Sequence, residues 1–323
     1  MDEVNVSRVT EFFLLGLSHD KDQKMTLFAG FLLTYLLTLL GNSLIIIATN
    51  NDPRLNYPMY FFLGNLSFVD ICFSSVTAPL MLANLLRERK TITFKGCMSQ
   101  LFFLFCTASM ECFVLAIMAY DRLVAISNPL RYFYIMNSKR CLGLIVLCWI
   151  FTSLHSLLHV CIVSSMNFCG PNKIREHFCD LPPLLALSCS DKSQYDLLVF
   201  TEGSLVTMSP FIFIVVSYCR ILKIILTMQS TSGRHQTFST CSSHLTSVGL
   251  FFGTVFFTYF RPSSSNSVED DRSVTVVYST LTPLLNPFIY SLRNKQVKES
   301  LKKIFSQIIT PPVRSIFGVK LLL

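Results

Sequence analysis

Seven apolar segments, each long enough to cross a lipid bilayer, follow one another along the 323 residues and leave little choice of fold. They run Met25–Thr49, Tyr57–Leu86, Cys97–Tyr120, Cys141–Met166, Leu197–Cys219, Gln236–Phe260 and Ser273–Leu292. A helix needs about 20 residues to cross the hydrocarbon. Only helices and closed barrels keep every backbone N–H and C=O bonded there. Four segments contain no Asp, Glu, Lys or Arg, and the others carry one acid each: Asp70, Glu111 and Glu202. Charged residues make up 14% of the chain, against roughly 25% in a soluble domain. The expectation is an all-α membrane protein built as a seven-transmembrane helix bundle over residues 25–292. Residues 1–24 form its N-terminus and residues 293–323 a cytoplasmic amphipathic helix and tail.

The first segment is too long and too late for a cleaved signal peptide. Before it stand three basic residues (Arg8, Lys21, Lys24); after the last stand seven (Arg293, Lys295, Lys298, Lys302, Lys303, Arg314, Lys320). The positive-inside rule puts the C-terminus in the cytoplasm and, with an odd number of spans, the N-terminus outside. A net charge of +8 then faces anionic lipid and acidic partners, not nucleic acid. On the outer side fall Cys97, Cys169, Cys179 and Cys189. An even number in an oxidising compartment reads as two disulfides, with three pairings open. Asn5-Val6-Ser7 is a glycosylation acceptor on the same side. The one long loop, Asn167–Asp196, carries three of those cysteines and reads as a lid held by disulfides. Past the last span, Arg293–Gln307 has Leu301, Ile304 and Phe305 among Lys298, Lys302 and Lys303, the spacing of a helix lying on the inner leaflet.

Polar residues inside the spans carry the functional signal. Asn42, Asp70, Glu111 and Asn286 are costly in hydrocarbon and are expected to converge inside the bundle. Two carboxylates there repel unless a cation lies between them or one is protonated. Asn286-Pro287 frees backbone carbonyls and makes a hinge. Met118-Ala119-Tyr120-Asp121-Arg122 closes the third segment before Pro129 stops the helix. Taken alone, that acid–arginine pair reads as a solvated cap. His155 and His159 lie four apart on one helical face, as a metal pair does. No third ligand or general base is evident in the sequence, so packing is the stronger reading.

With these residues in view, the chain resembles a rhodopsin-type G-protein-coupled receptor and, within that class, an olfactory receptor of the tetrapod-type branch. The broad signature is Asn42, Asp70, Asp121-Arg122 and Asn286-Pro287-Phe288-Ile289-Tyr290. The narrower one is Pro58-Met59-Tyr60-Phe61-Phe62-Leu63, Met118 to Arg122, Ser217-Tyr218, Phe238-Ser239-Thr240-Cys241-Ser242-Ser243-His244-Leu245 and Pro283 through Tyr290. The resemblance implies disulfides Cys97–Cys179 and Cys169–Cys189. It implies that Asp121 restrains Arg122, which on activation moves towards Tyr218, Tyr290 and a heterotrimeric G protein with a stimulatory olfactory-type α subunit. Asp70 and Glu111, with Asn42 and Asn286, match the family's candidate sodium site; no other cofactor is implied. Localisation in the plasma membrane of olfactory neuron cilia is expected. The chain departs from the family pattern at Leu123, Ser127, Leu55-Asn56, Gln236-Thr237 and Phe252, which bears on coupling and polar ligand contacts.

A pocket among spans three, five, six and seven is expected to bind a small, mostly hydrophobic odorant. Its lining is read as Leu104, Phe105, Ala108, Ser109 and Cys112; Glu202 and Val206; Phe252, Val255, Phe256 and Tyr259; and Val276, Ser279 and Thr280. Leu104 stands where an amine receptor has an acid, and Thr280 where an opsin has its lysine. A receptor for a non-odorant metabolite used outside the nose is the nearest rival. A transporter would show an internal repeat with interrupted spans, and none is visible; an enzyme would show a catalytic group set, and none is evident.

Overall fold

A computed structural model describes residues 9–15, 21–169, 172–174, 177–189, 193–259, 280–291 and 294–309. Its long helices are α1 (Lys21–Asn51), α2 (Pro58–Leu86), α3 (Phe94–Ser127), α5 (Ser138–Ser165), α7 (Ser193–Thr227) and α8 (Thr231–Tyr259). Shorter ones are α4 (Tyr132–Ile135), α6 (Leu181–Leu187), α9 (residues 280–291) and α10 (Lys295–Ile309). Five of them (α1, α2, α3, α5 and α7) are long and apolar enough to cross a membrane. Within α8, Cys241–Phe257 forms a further, shorter apolar stretch. The start of the seventh apolar segment, and Asn5, lie outside the described residues.

Most helices outrun the apolar segments that announce them. Hydropathy marks the part in lipid, whereas caps and prolines mark where the backbone stops being helical. At the start of α3, the Thr93 hydroxyl accepts from Gly96 N–H at 3.1 Å. The helix ends at Ser127, ahead of Asn128-Pro129. Asp121 and Arg122 therefore lie more than a turn inside α3, 1% and 5% exposed, and the solvated-cap reading is corrected.

The long helix α3 packs against α2, α5 and α7, so its residues meet most of the bundle. Beside it, α1 and α9 meet at a proline. Pro287 has no N–H to give the carbonyl four residues back, that of Pro283. Asn42 on α1 donates its amide to that carbonyl at 3.0 Å. Gly41 makes the approach close enough: a Cβ there would stand 3.1 Å from Pro287 Cβ.

One end of the bundle is closed by two disulfides, Cys97–Cys179 and Cys169–Cys189, with Cα–Cα distances of 5.5 and 5.7 Å. The same end carries a three-stranded sheet absent from the all-α expectation. Its order is β2-β1-β3, from β1 (Glu11–Leu14), β2 (Thr91–Thr93) and β3 (Lys173–Ile174). Antiparallel β1–β2 pairing sets Phe12 opposite Ile92, and β3 joins β1 in parallel. Strand alternation turns Phe12 and Leu14 into an apolar cluster with Cys97, Leu101, Ile174 and Cys179. Gln100 fixes the loop to the helices, donating to the Val76 carbonyl at 2.8 Å and accepting from Cys179 N–H at 2.9 Å.

At the opposite end, Asp52 caps the 3-10 turn Pro53–Leu55 and pairs with Arg54 at 2.8 Å. Arg54 also reaches Glu299 on α10 at 3.5 Å. The Tyr60 hydroxyl donates to Gln296 Oε1 at 2.5 Å, and Asn294 Oδ1 caps α10 at Gln296 and Val297. The Arg54 guanidinium, by hydrogen bond and charge, holds the Asp52 carboxyl well below the usual carboxylate range. A depressed folded-state pKa gives stability that is present above the unfolded value and lost as pH falls. Asp52→Asn is thus expected to lower the melting temperature of the purified protein at neutral pH, with the gap from wild type closing below pH about 4. An equal gap at every pH would assign the loss to packing instead. Gly41→Leu is expected to cost about 1–3 kcal/mol by overpacking against Pro287, read as a lower melting temperature; wild-type stability would disprove the contact.

Candidate functional site

The end opposite the disulfides opens a cleft of about 380 Å³ lined by Tyr57, Met59, Tyr60, Asp121, Arg122, Ala125, Ile126, Tyr132, Thr237, Cys241 and Gln296. Its floor is the acid–arginine pair of α3. Asp121 accepts from the Tyr132 hydroxyl at 2.8 Å. Burial and the adjacent carboxylate push the Tyr132 phenol up, so it stays a neutral donor. Sequence reading missed Tyr132; its only signal is a tyrosine eleven residues beyond Asp121, after the proline that turns the chain back.

The Arg122 guanidinium lies within electrostatic reach of Tyr60, Tyr218, Cys241, His244 and Tyr290. His244 ties three helices together. Its Nε2 lies 3.0 Å from the Leu115 carbonyl on α3, which can only accept. Nε2 therefore carries the proton, and Nδ1 accepts from the Tyr218 hydroxyl at 2.8 Å. The two rings stack at 5.6 Å and 19°. The motif around His244 was visible in the sequence, but this bridge was not.

Farther along the bundle, Asn286 donates to both oxygens of Asp70, at 3.3 and 3.0 Å. Asp70 is fully buried and Glu111 2% exposed, close enough for their charges to interact. Asn42 Oδ1, Glu111 Oε1 and Asn286 Oδ1 are buried with no hydrogen-bond partner. Buried polar atoms are normally satisfied. Two amide oxygens and one oxygen of the carboxylate pair itself are thus left unsatisfied, and oxygens of this kind suit a hard cation.

Towards the disulfides, the expected pocket lining divides. Leu104, Ala108 and Cys112 pack in one core with Phe252, Val255 and Phe256. Phe211 joins α7 to this group, 5.1 Å from both Phe252 and Phe256. Ser109 and Val206 are buried nearby in sequence, at 7% and 9% exposure, and Thr280 is half-buried. Phe105 belongs instead to the cluster below the sheet and stacks on His159 at 5.3 Å. Val276, Ser279 and the Tyr259 side chain lie outside the described residues. Glu202, read from sequence as pocket lining, sits nine residues into α7 and meets both His155 and His159 instead. The absence of a third potential ligand beside those histidines is thereby corrected.

The sequence profile of the olfactory receptor family matches residues 31–308. The rat protein named olfactory receptor 1f45 is 48% identical over 95% of this chain and 98% of its own length. Human olfactory receptor 1F1 is 48% identical over 96% of this chain and 99% of its own. Gorilla olfactory receptor 1G1 is 45% identical over 94% and 97%. A match on that scale, on a multi-pass helical membrane protein carrying these motifs, decides the identity: the chain belongs to the olfactory receptor family, seven-helix G-protein-coupled receptors that are not enzymes.

Proposed function

We propose that this chain is an odorant receptor of the plasma membrane that activates a heterotrimeric G protein with a stimulatory olfactory-type α subunit and so raises cAMP. The observation that carries the proposal is the cleft floored by Arg122. In this reading the cleft faces the cytoplasm, the disulfide end faces outward, and α10 lies on the inner leaflet. The odorant is a small, mostly hydrophobic molecule held near Leu104, Ala108, Ser109, Cys112, Val206, Phe252, Val255 and Phe256. That lining is apolar apart from one or two hydrogen-bonding groups.

Activation works through groups already poised. Tyr132 holds Asp121, which lies beside Arg122, while the His244–Tyr218 pair joins α8 and α7 to the α3 backbone. Displacing α8 breaks the bond between His244 and Leu115 and opens the cleft for the C-terminal helix of the Gα subunit. The hinge at Pro287 lets α9 follow. The orphan oxygens around Asp70 and Glu111 suit Na+, which would supply charge neutralisation between the carboxylates and favour the resting packing.

In cells co-expressing the chain, an export chaperone and the olfactory-type α subunit, an odorant panel is expected to find a ligand giving a dose-dependent cAMP rise. Arg122→Ala is expected to abolish that rise at equal surface expression. A mutant that signals as well as wild type would remove Arg122 from coupling. For the ion, replacing choline by Na+ at constant ionic strength is expected to raise the melting temperature of the purified receptor, but not that of Asp70→Asn. Equal shifts in both proteins would place the sodium effect elsewhere.

A further inference from the structure

Where α5 and α7 meet near the disulfide end, His155, His159 and Glu202 bring one ligand atom each within 4.8 Å of one another. His155 Nε2 lies 3.5 Å from Glu202 Oε1, and His159 Nε2 lies 3.3 Å from Glu202 Oε2. Neither approach has hydrogen-bond geometry: both ring nitrogens of His155, His159 Nε2 and Glu202 Oε2 are buried with no hydrogen-bond partner. The two imidazoles are almost wholly enclosed, with side chains 4% and 1% exposed, while Glu202 at 26% is the open member. Leaving such groups without a partner costs about 1–3 kcal/mol each. Protonating both histidines is a poor remedy, because their ring centroids are 4.7 Å apart and a single carboxylate faces them.

The geometry points to a binding site for a divalent late first-row metal ion, zinc(II) in the test below, with His155, His159 and Glu202 as its protein ligands. Zinc bonds of 2.0–2.2 Å to nitrogen and oxygen set tetrahedral ligand atoms about 3.4 Å apart, and the 3.3 and 3.5 Å separations match that edge. The surroundings prepare the ring nitrogens. His159 Nδ1 lies 3.2 Å from the Tyr195 hydroxyl. Donation from Nδ1–H to that oxygen leaves the Nε2 lone pair free for a metal, the usual outer-shell arrangement. Phe105 stacks on His159, and Phe151 on His155, fixing both rings in an apolar setting. Two imidazoles and one carboxylate leave a fourth position open. An ion here ties α5 to α7 beside Phe105, on the third span.

The test uses the full-length receptor in lipid nanodiscs, stripped of metal, with no odorant present, so its outcome is independent of the odorant reading. Titration with Co(II) is expected to give one equivalent of visible d–d absorption of tetrahedral type, displaced by Zn(II). Zn(II) is expected to raise the melting temperature. His159→Gln and Glu202→Gln should each lose the absorption and the shift. Tyr195→Phe should keep the absorption but weaken binding about tenfold to a hundredfold, an effect that packing alone would not produce. Melting in chelator establishes that each variant is folded; if one is not, His155→Gln takes its place. A wild-type receptor without the absorption overturns the proposal. So do folded His159→Gln and Glu202→Gln variants that titrate like wild type, since the metal would then sit elsewhere.

Discussion

The bundle turns on one missing proton donor. Pro287 cannot bond the Pro283 carbonyl, and in a membrane interior no water stands ready to do so. Asn42 supplies the bond from α1, and Gly41 lets α1 come near enough for it. One residue before the proline, Asn286 spends its amide on Asp70 of α2. Three helices are thus held by polar contacts that have no good substitute in hydrocarbon, where apolar packing alone discriminates little between helix faces. The same break in the backbone ladder makes α9 easier to bend than its neighbours, so what holds these helices together also sets where they can move.

The helices were legible in the sequence because hydropathy over about 20 residues is a strong signal. Their ends were not, since lipid thickness and helix length are separate quantities. Asp121 and Arg122 show the consequence: hydropathy stops at Tyr120, but the backbone stays helical to Ser127 and buries both. The sheet was invisible because strands of two to four residues show no usable alternation. Its partners, Phe12, Ile92 and Ile174, come from three distant stretches. Polar residues inside the spans were found at once, since hydrocarbon makes each one conspicuous. Their partners were found only where both members were conspicuous. Asp70 and Asn286 meet that condition; Tyr132 and Leu115 do not. Glu202 was seen, but its neighbours lie more than 40 positions earlier, and only the packing of α5 on α7 reveals them.

The third helix explains how such separate features form one device. Rising about 1.5 Å per residue, α3 carries Ser109 among the apolar residues, Glu111 beside the Asp70 cluster, and Arg122 about 16 Å beyond Glu111 in the cleft. Close packing transmits small displacements along a helix as a rigid shift, because interiors have few voids to absorb them. A tilt of α3 therefore disturbs the Glu111 cluster and the bond from His244 to the Leu115 carbonyl together. Neither polar contact can stretch far without exposing an unpaired group to a low-dielectric interior, so both favour discrete arrangements over a continuum. Leu115 matters here through its carbonyl, not its side chain: any residue at that position presents the same acceptor, and the position of the helix decides whether His244 can reach it.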